Sequence, residues 1–294
     1  MRETRRNYGR LMGMCLLLLC LLGACAQKKG LPDNEILYTS VSGRIVEPDP
    51  LMFDAVIIEN TYVDGVGRIR FNQKLTEIKA EAFYERTDLK TVRIPASVHS
   101  IGGGVFALCG ALDSVEFAED AQLQRIGRTA FAATALRHFT VPASVGELGE
   151  AVLASCNALE SIEGPFSGNV NRALIYRNTL NSVAPAGLTT FVLEEQVEAI
   201  GELSFYGIEH IEDVYLPVSV RGVGVNAFCK CPDLKAIYFT APRAPLLGGS
   251  CFDVGTGLIL YVPEEHHYGG HSNWYLYNKN GYVKGYATDD GNGV

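Results

Sequence analysis

The chain has 294 residues, 47% of them apolar and 20% charged, so it can bury a core and is not a disordered tract. Lys and Arg number 25 against 33 Asp and Glu, a formal net charge of −8. That balance argues against nucleic acid as a partner, because phosphate backbones need a basic face.

Residues 1–24 read as a lipoprotein signal peptide. Arg2, Arg5, Arg6 and Arg10 make a basic start, and the apolar run Leu11 to Leu22 has 12 residues. A membrane span needs about 20, so the run fits a cleaved signal core. It ends in Leu22-Gly23-Ala24-Cys25, which resembles the bacterial lipoprotein box and makes Cys25 the expected lipidation site. Loss of residues 1–24 removes four Arg and one Glu, leaving a net charge of −11. Residues 25–33, short, polar and holding Gly and Pro, read as a tether.

Residues 34–66 read as an N-terminal β cap. Strands are expected at Ile36–Thr39, Arg44–Val46 and Ala55–Glu59, the first two around a turn at Ser42-Gly43. From 67 to 263 the chain repeats. The pattern Leu-x-x-apolar-x-apolar begins at Leu89, Leu112, Leu136, Leu159, Leu188, Ile211 and Leu234, in steps of 23, 24, 23, 29, 23 and 23. Degenerate copies at Val66-Ile69-Phe71 and Gly257-Leu260-Val262 make nine strand-like segments.

Alternation within each copy is strand periodicity, and Pro95, Pro142, Pro165, Pro217 and Pro263 stop the strands that they follow. Past each strand come two apolar positions three apart, typified by Val98 and Ile101. A Gly then follows, as at Gly102, Gly127, Gly149, Gly201, Gly224 and Gly248. Such a Gly implies either a positive φ or a close backbone approach. A bulky plug comes next: Phe83, Phe106, Phe131, Leu153, Phe205, Phe228 or Phe252. One coil buries too little to offset its own ordering, so the coils fold only as a stack. The fold class expected is a β-rich leucine-rich-repeat solenoid of about nine coils with short helical turns. The β cap precedes it and an aromatic cap at 264–294, holding Trp274, Tyr275, Tyr277, Tyr282 and Tyr286, closes it. Residues 166–187 lack a Gly-x3-Phe copy, so the fifth coil is expected to be irregular.

The copies Ile101-Gly-x3-Phe106-x2-Cys109-x2-Leu112 and Leu136-x2-Phe139-x-Val141-Pro142-Ala-Ser-Val145 resemble the BspA-type leucine-rich repeats of Bacteroides-like bacteria. Asn34-Glu-Ile-Leu-Tyr38-Thr-Ser, with Glu59-Asn-Thr-Tyr62, resembles the β-rich leader of lipoproteins of that family. The resemblance implies an outer-membrane or cell-surface lipoprotein that binds proteins or host components. It carries over no catalytic residue.

The candidate site lies on the strands. The middle residue of each apolar-x-apolar triplet points away from the core. In order these are Arg70, Arg93, Glu116, Thr140, Glu163, Val192, Tyr215, Tyr238 and Tyr261. Their neighbours two residues earlier include His138, Asp213, Ala236 and Ile259. The candidate partner-binding residues are Tyr215, Tyr238, Tyr261, Asp213, Val192, Glu163, His138 and Arg93. Aromatic residues are enriched at binding hot spots, but Tyr also suits a strand for its own sake. The partner expected is a host, community or extracellular-matrix protein, through adhesion. A glycan is the second reading, since Tyr faces and Trp274 can stack on sugar rings.

Enzymatic readings are weak. Glu116 and Glu163 are two carboxylates on an open face, and no nucleophile elbow, Walker loop or dinucleotide fingerprint is present. His266, His267 and His271 lack the HExxH signature and read as loop. Cys109, Cys156 and Cys231 share one coil position and read as small buried corner fillers. No cofactor, metal or catalytic residue is assigned.

Overall fold

The structure, a computed structural model, describes residues 30–253, 257–264, 268 and 273–286. Pro32–Val294 form one compact unit, which is the unit described below. Cys25 and the His266, His267 and His271 cluster lie outside the described residues.

The unit is a β-solenoid. The first ladder is a line of strands in three separate hydrogen-bonded groups: Leu89–Ile94 and Ser114–Phe117, then His138–Thr140 and Ser161–Glu163, then Thr190–Val192, Asp213–Leu216, Ala236–Phe239 and Ile259–Pro263. Neighbours within each group pair in parallel, with one coil per step: Arg93 lies opposite Glu116, and Tyr215 opposite Tyr238. A second ladder is built from two-residue strands such as Ser100–Ile101 and Arg125–Ile126, whose Ile side chains face inward. A third line of hydrogen bonds joins the turns: Phe83 N–H donates to Val105 O at 2.9 Å, and Phe106 N–H to Ala130 O at 2.8 Å. Away from the breaks in the first ladder and the fifth coil, a coil thus continues three ladders of its neighbour, satisfying backbone groups that burial would otherwise orphan.

The plug Phe residues form two stacked columns. Phe83, Phe106 and Phe131 are 5.2 and 5.3 Å apart, and Phe205, Phe228 and Phe252 are 4.7 and 5.7 Å apart. Each ring is almost wholly buried, contributing roughly 1.5–3 kcal/mol. The corner Gly is explained by approach, not by φ. A Cβ on Gly102 would stand 2.4 Å from Ala80 N, and one on Gly127 2.5 Å from Gly102 C, and neither φ is positive.

The coil turns are not the short helices expected. Two residues four apart take left-handed backbone in successive coils: Glu81 and Glu85, Gly104 and Leu108, Thr129 and Ala133, Ala151 and Ser155. Left-handed residues at that spacing interrupt any right-handed helix. Among the described residues the helix is the short Tyr275–Lys279, in the C-terminal cap.

The N-terminal cap differs from expectation in two ways. Arg44–Val46 is not a strand. Ser40 Oγ donates to Arg44 O and accepts from Arg44 N–H, and Val46 N–H donates to the Tyr38 hydroxyl, so side chains hold this segment as a loop. Strand Val66–Phe71, the degenerate first copy, belongs to the cap. It forms a hairpin with Ile57–Val63 across Asp64-Gly65, both at positive φ, and pairs antiparallel with Glu35–Ser40. Glu35–Ser40 in turn pairs antiparallel with Leu89–Ile94, so Leu37, not Arg70, is opposite Arg93.

The fifth coil is a hairpin. Ala173–Tyr176 and Thr179–Val183 pair antiparallel, and the second of these joins the second ladder beside Ala199–Ile200. The missing turn segment is replaced by side chains. Asn181 Oδ1 accepts from Val152 N–H, and Ser182 Oγ from Leu153 N–H, each at 3.0 Å. Ser155 Oγ and Asn157 Nδ2 reach across the gap to Tyr206 O and Gly207 O. The core divides here into two clusters.

Candidate binding face

The outward column of the first ladder carries the candidate residues, and the fold separates them into two groups. In the C-terminal group, Val192 is opposite Tyr215, Tyr215 opposite Tyr238, and Tyr238 opposite Tyr261. The three Tyr rings stack nearly parallel, with centroids 4.4 and 4.8 Å apart and planes inclined by 4° and 7°. In-register pairing puts adjacent rings at the strand spacing, which is an offset stacking distance as well. The rings are half-buried. Each pair covers the ring faces that it shares, so Tyr238 offers solvent its edge and hydroxyl rather than its faces. Burial and the neighbouring Tyr215 hydroxyl and Asp213 carboxylate push the Tyr238 hydroxyl up to about 12.

Asp213 and Ala236 precede Tyr215 and Tyr238 by two residues and lie opposite each other, with Ile259 on the next rung. Ala236 is buried.

The ladder has one rung more than the repeat pattern foresaw. Val283–Tyr286 pairs in parallel with Ile259–Pro263, placing Lys284 opposite Tyr261. The step from Tyr261 to Lys284 is again 23, a signal that was present in the chain. Tyr286 leans back across the face. Its hydroxyl donates to Phe239 O at 3.1 Å, and its ring meets Tyr238 edge to face.

The N-terminal group is ionic. Arg93 Nε faces Glu116 at 3.8 Å, and Arg70 pairs with Glu59. His138 Nδ1 meets Ser161 Oγ at 2.9 Å on the adjacent rung, and Arg137 holds Glu160 at 2.9 Å. Glu163, opposite Thr140, is exposed and has no ion pair among the described residues. A hollow of about 180 Å³ beside Arg93 and Glu116 is smaller than the usual ligand pocket.

The two groups do not meet through a shared ladder. Between Ser161–Glu163 and Thr190–Val192 the missing rung is filled by a loop. Ile162 N–H donates to Asn171 O at 2.8 Å, and Asn169 Nδ2 to Val192 O at 2.8 Å. Asn169, Val170 and Asn171 all have left-handed backbone, and Val170 is 94% exposed.

The aromatic C-terminal cap is partly inward. Trp274 is fully buried, its indole N–H donating to Pro245 O at 2.8 Å, with Phe239 and Tyr268 packed against its ring. It is a plug and not a platform for a sugar ring. Tyr275, in contrast, is exposed.

The thiols are corner fillers. Cys109, Cys156 and Cys231 donate to Phe83 O, Phe131 O and Phe205 O, the plug residues of earlier coils. All five described Cys are free and buried. Burial pushes Cys109 and Cys251 up to about 11, and Cys229 and Cys231 up to about 12, which suppresses the nucleophilic thiolate. Among the described residues no group of three or more His, Cys, Asp or Glu side chains is placed to hold a metal ion. None of the helices there is long and apolar enough to cross a membrane.

In-register parallel rungs, a plug column and a period of 23 define a leucine-rich-repeat solenoid. The BspA type Leucine rich repeat region, in six copies, matches residues 62–160 and 174–259, and the chain belongs to that family. The gap in the match, residues 161–173, falls on strand Ser161–Glu163 and the loop that leads into the hairpin. Among solved structures, a leucine rich cell surface protein from Faecalibacterium prausnitzii is similar at 25% identity and a TM-score of 0.53. The alignment covers 65% of this chain and 58% of that one, so the chain spans less than two thirds of its length. The pneumococcal vaccine antigen PcpA is similar at 15% identity and a TM-score of 0.46, over 75% of this chain and 72% of that one. A leucine-rich repeat protein from Eubacterium ventriosum is similar at 19% identity and a TM-score of 0.46, over 65% and 64%. No curated protein matches the chain.

Proposed function

We propose that this protein is a cell-surface lipoprotein, anchored through Cys25, that captures a protein partner on the outward face of its first ladder. The observation that carries the reading is the stacked ridge of Tyr215, Tyr238 and Tyr261, flanked by Val192 and Asp213. A solenoid needs an inward face to fold, but nothing in the repeat requires three aromatic residues on the outward one. Rigid Tyr side chains supply contact area at low entropic cost. Glu163, His138 and Arg93 would form the salt-sensitive flank of the footprint. The family and the name of the Faecalibacterium relative support a place at the surface. The glycan reading loses its motive: Trp274 is buried, and the ring faces of Tyr238 are taken by its neighbours. Neither the family nor the face suggests catalysis.

The test is Y215S/Y238S/Y261S in the chain from Ala26 onward. Circular dichroism monitors the fold while the variant competes with the unaltered chain for proteins of host or community surfaces. Undiminished capture by a folded variant would remove the ridge as the site. Cys25→Ala in the full chain should move the protein out of the membrane fraction and abolish acyl labelling.

A further inference from the structure

The C-terminal group contains a carboxylate that has no cation partner among the described residues. On the N-terminal side several acidic side chains have basic partners: Glu116 on the ladder has Arg93, Glu59 in the cap has Arg70, and Glu160, just before its strand, has Arg137. Asp213 is half-buried beside the Tyr ridge, and among the described residues its carboxylate makes no hydrogen bond or ion pair. Lys235 senses its charge, but the ammonium is seated on Glu212 at 2.7 Å. Glu163 also lacks a cation, but it stands in solvent without an aromatic neighbour.

The ridge ends beside this carboxylate. Tyr215 stacks on Tyr238 with one ring face, and the rung on its other side is Val192. Valine is far shorter than tyrosine, so that outer face rises above a 54% exposed apolar side chain. Asp213, two residues before Tyr215 on the same strand, points from the same side of the sheet. The corner therefore combines an aromatic face, an unpaired carboxylate and an apolar floor.

We propose that this corner seats an arginine side chain of the protein partner. The guanidinium lies flat on Tyr215, its N–H groups donate to Asp213, and its methylene stem covers Val192. Arginine fits better than lysine, because a planar guanidinium stacks on a ring and pairs with a carboxylate together. The seat rests on the outward face being the docking surface. It adds the chemistry that this face selects: an extended basic segment, complementary to an acidic chain.

The experiment is calorimetric titration of the chain from Ala26 onward. One blocked pentapeptide carries a single Arg between Val and Thr residues, and a second carries citrulline, the neutral isostere, in its place. The Arg peptide should bind about tenfold more tightly, as a desolvated cation–π and charge-assisted contact implies. D213N should erase that preference, while E198Q, which removes one exposed charge elsewhere, should keep it. Equal affinities, no Arg-peptide binding at millimolar concentration, or a preference that survives D213N would each overturn the seat. A failed preference with ridge-dependent partner capture intact removes only the seat. Capture that survives Y215S/Y238S/Y261S removes the face on which it depends.

Discussion

The two halves of the outward face share one backbone plan and present different chemistry. Before the hairpin coil, charges on and beside the rungs pair with one another, Arg93 with Glu116 and Arg137 with Glu160, as Lys235 does with Glu212 after it. After it, the rungs carry a stacked Tyr ridge and the Asp213 carboxylate, which makes no ion pair among the described residues, the Lys235 that senses its charge being seated on Glu212. Exposed ion pairs contribute about 0–1 kcal/mol and are already satisfied, so the first half has little to gain from a partner. The second half keeps apolar area and an unpaired charge in reserve. A ladder sets where side chains project, and the choice of residue on each rung decides whether that projection is self-sufficient or open.

The largest effects should come from the shared core. Phe106→Ala and Phe228→Ala each remove a plug from one stack, and each should cost about 3–5 kcal/mol. The core divides at the hairpin coil, so hydrogen exchange should show F106A loosening mainly residues before it and F228A mainly those after it. Equal loosening of both halves by either variant would mean that Asn181, Ser182 and their partners couple the halves fully.

Alkali should act next, and unequally. A thiol whose folded pKa is raised holds its proton longer in the folded chain than in the unfolded one. Stability is therefore whole below the ordinary thiol pKa near 9 and falls as pH climbs through the folded value. The second half holds Cys229 and Cys231, pushed up to about 12, Cys251, pushed up to about 11, and Tyr238, pushed up to about 12. The first holds Cys109, pushed up to about 11, and Cys156, also raised by burial. Between about pH 9 and 12 exchange protection should fall first in the second half. Fading of the first half before it would reverse the comparison.

Substitution of the ridge should be milder for the fold. Tyr238→Ser removes two stacking contacts, each worth about 0.5–1.5 kcal/mol, and denaturant titration should register a loss of about 1–3 kcal/mol. The smallest effect belongs to the ionic half. Arg93→Ala should change stability by less than about 1 kcal/mol, and that change should shrink in high salt.

Most of the solenoid was legible because its signals are local and recur. Alternating apolar residues gave all nine strands, and the 29-residue step located the irregular coil. Other features needed partners that a strand pattern does not name. Strand Val66–Phe71 matched the repeat, but only the docking of Glu35–Ser40 made it part of an antiparallel cap. Two features that the strand pattern missed had marks in the chain, Asp64-Gly65 for the hairpin and the step of 23 from Tyr261 to Lys284 for the further rung. Trp274 was legible as a cap residue but not as a buried one.

The sequence by itself determined the period, the inward faces, the plug positions and the order of side chains along the outward column. Those follow from strand alternation and from the need of each coil for a neighbour. Tertiary structure decided what the column does. It chose close approach over positive φ for Gly102 and Gly127, because adjacent coils touch backbone to backbone. It imposed left-handed turns on residues such as Thr129 and Leu108, whose side chains do not favour them. It also parted the column at the hairpin coil and seated Lys235 on Glu212 rather than on the Asp213 carboxylate beside Tyr215. Which charges find partners depends on distances between rungs, and those are fixed only when the coils stack.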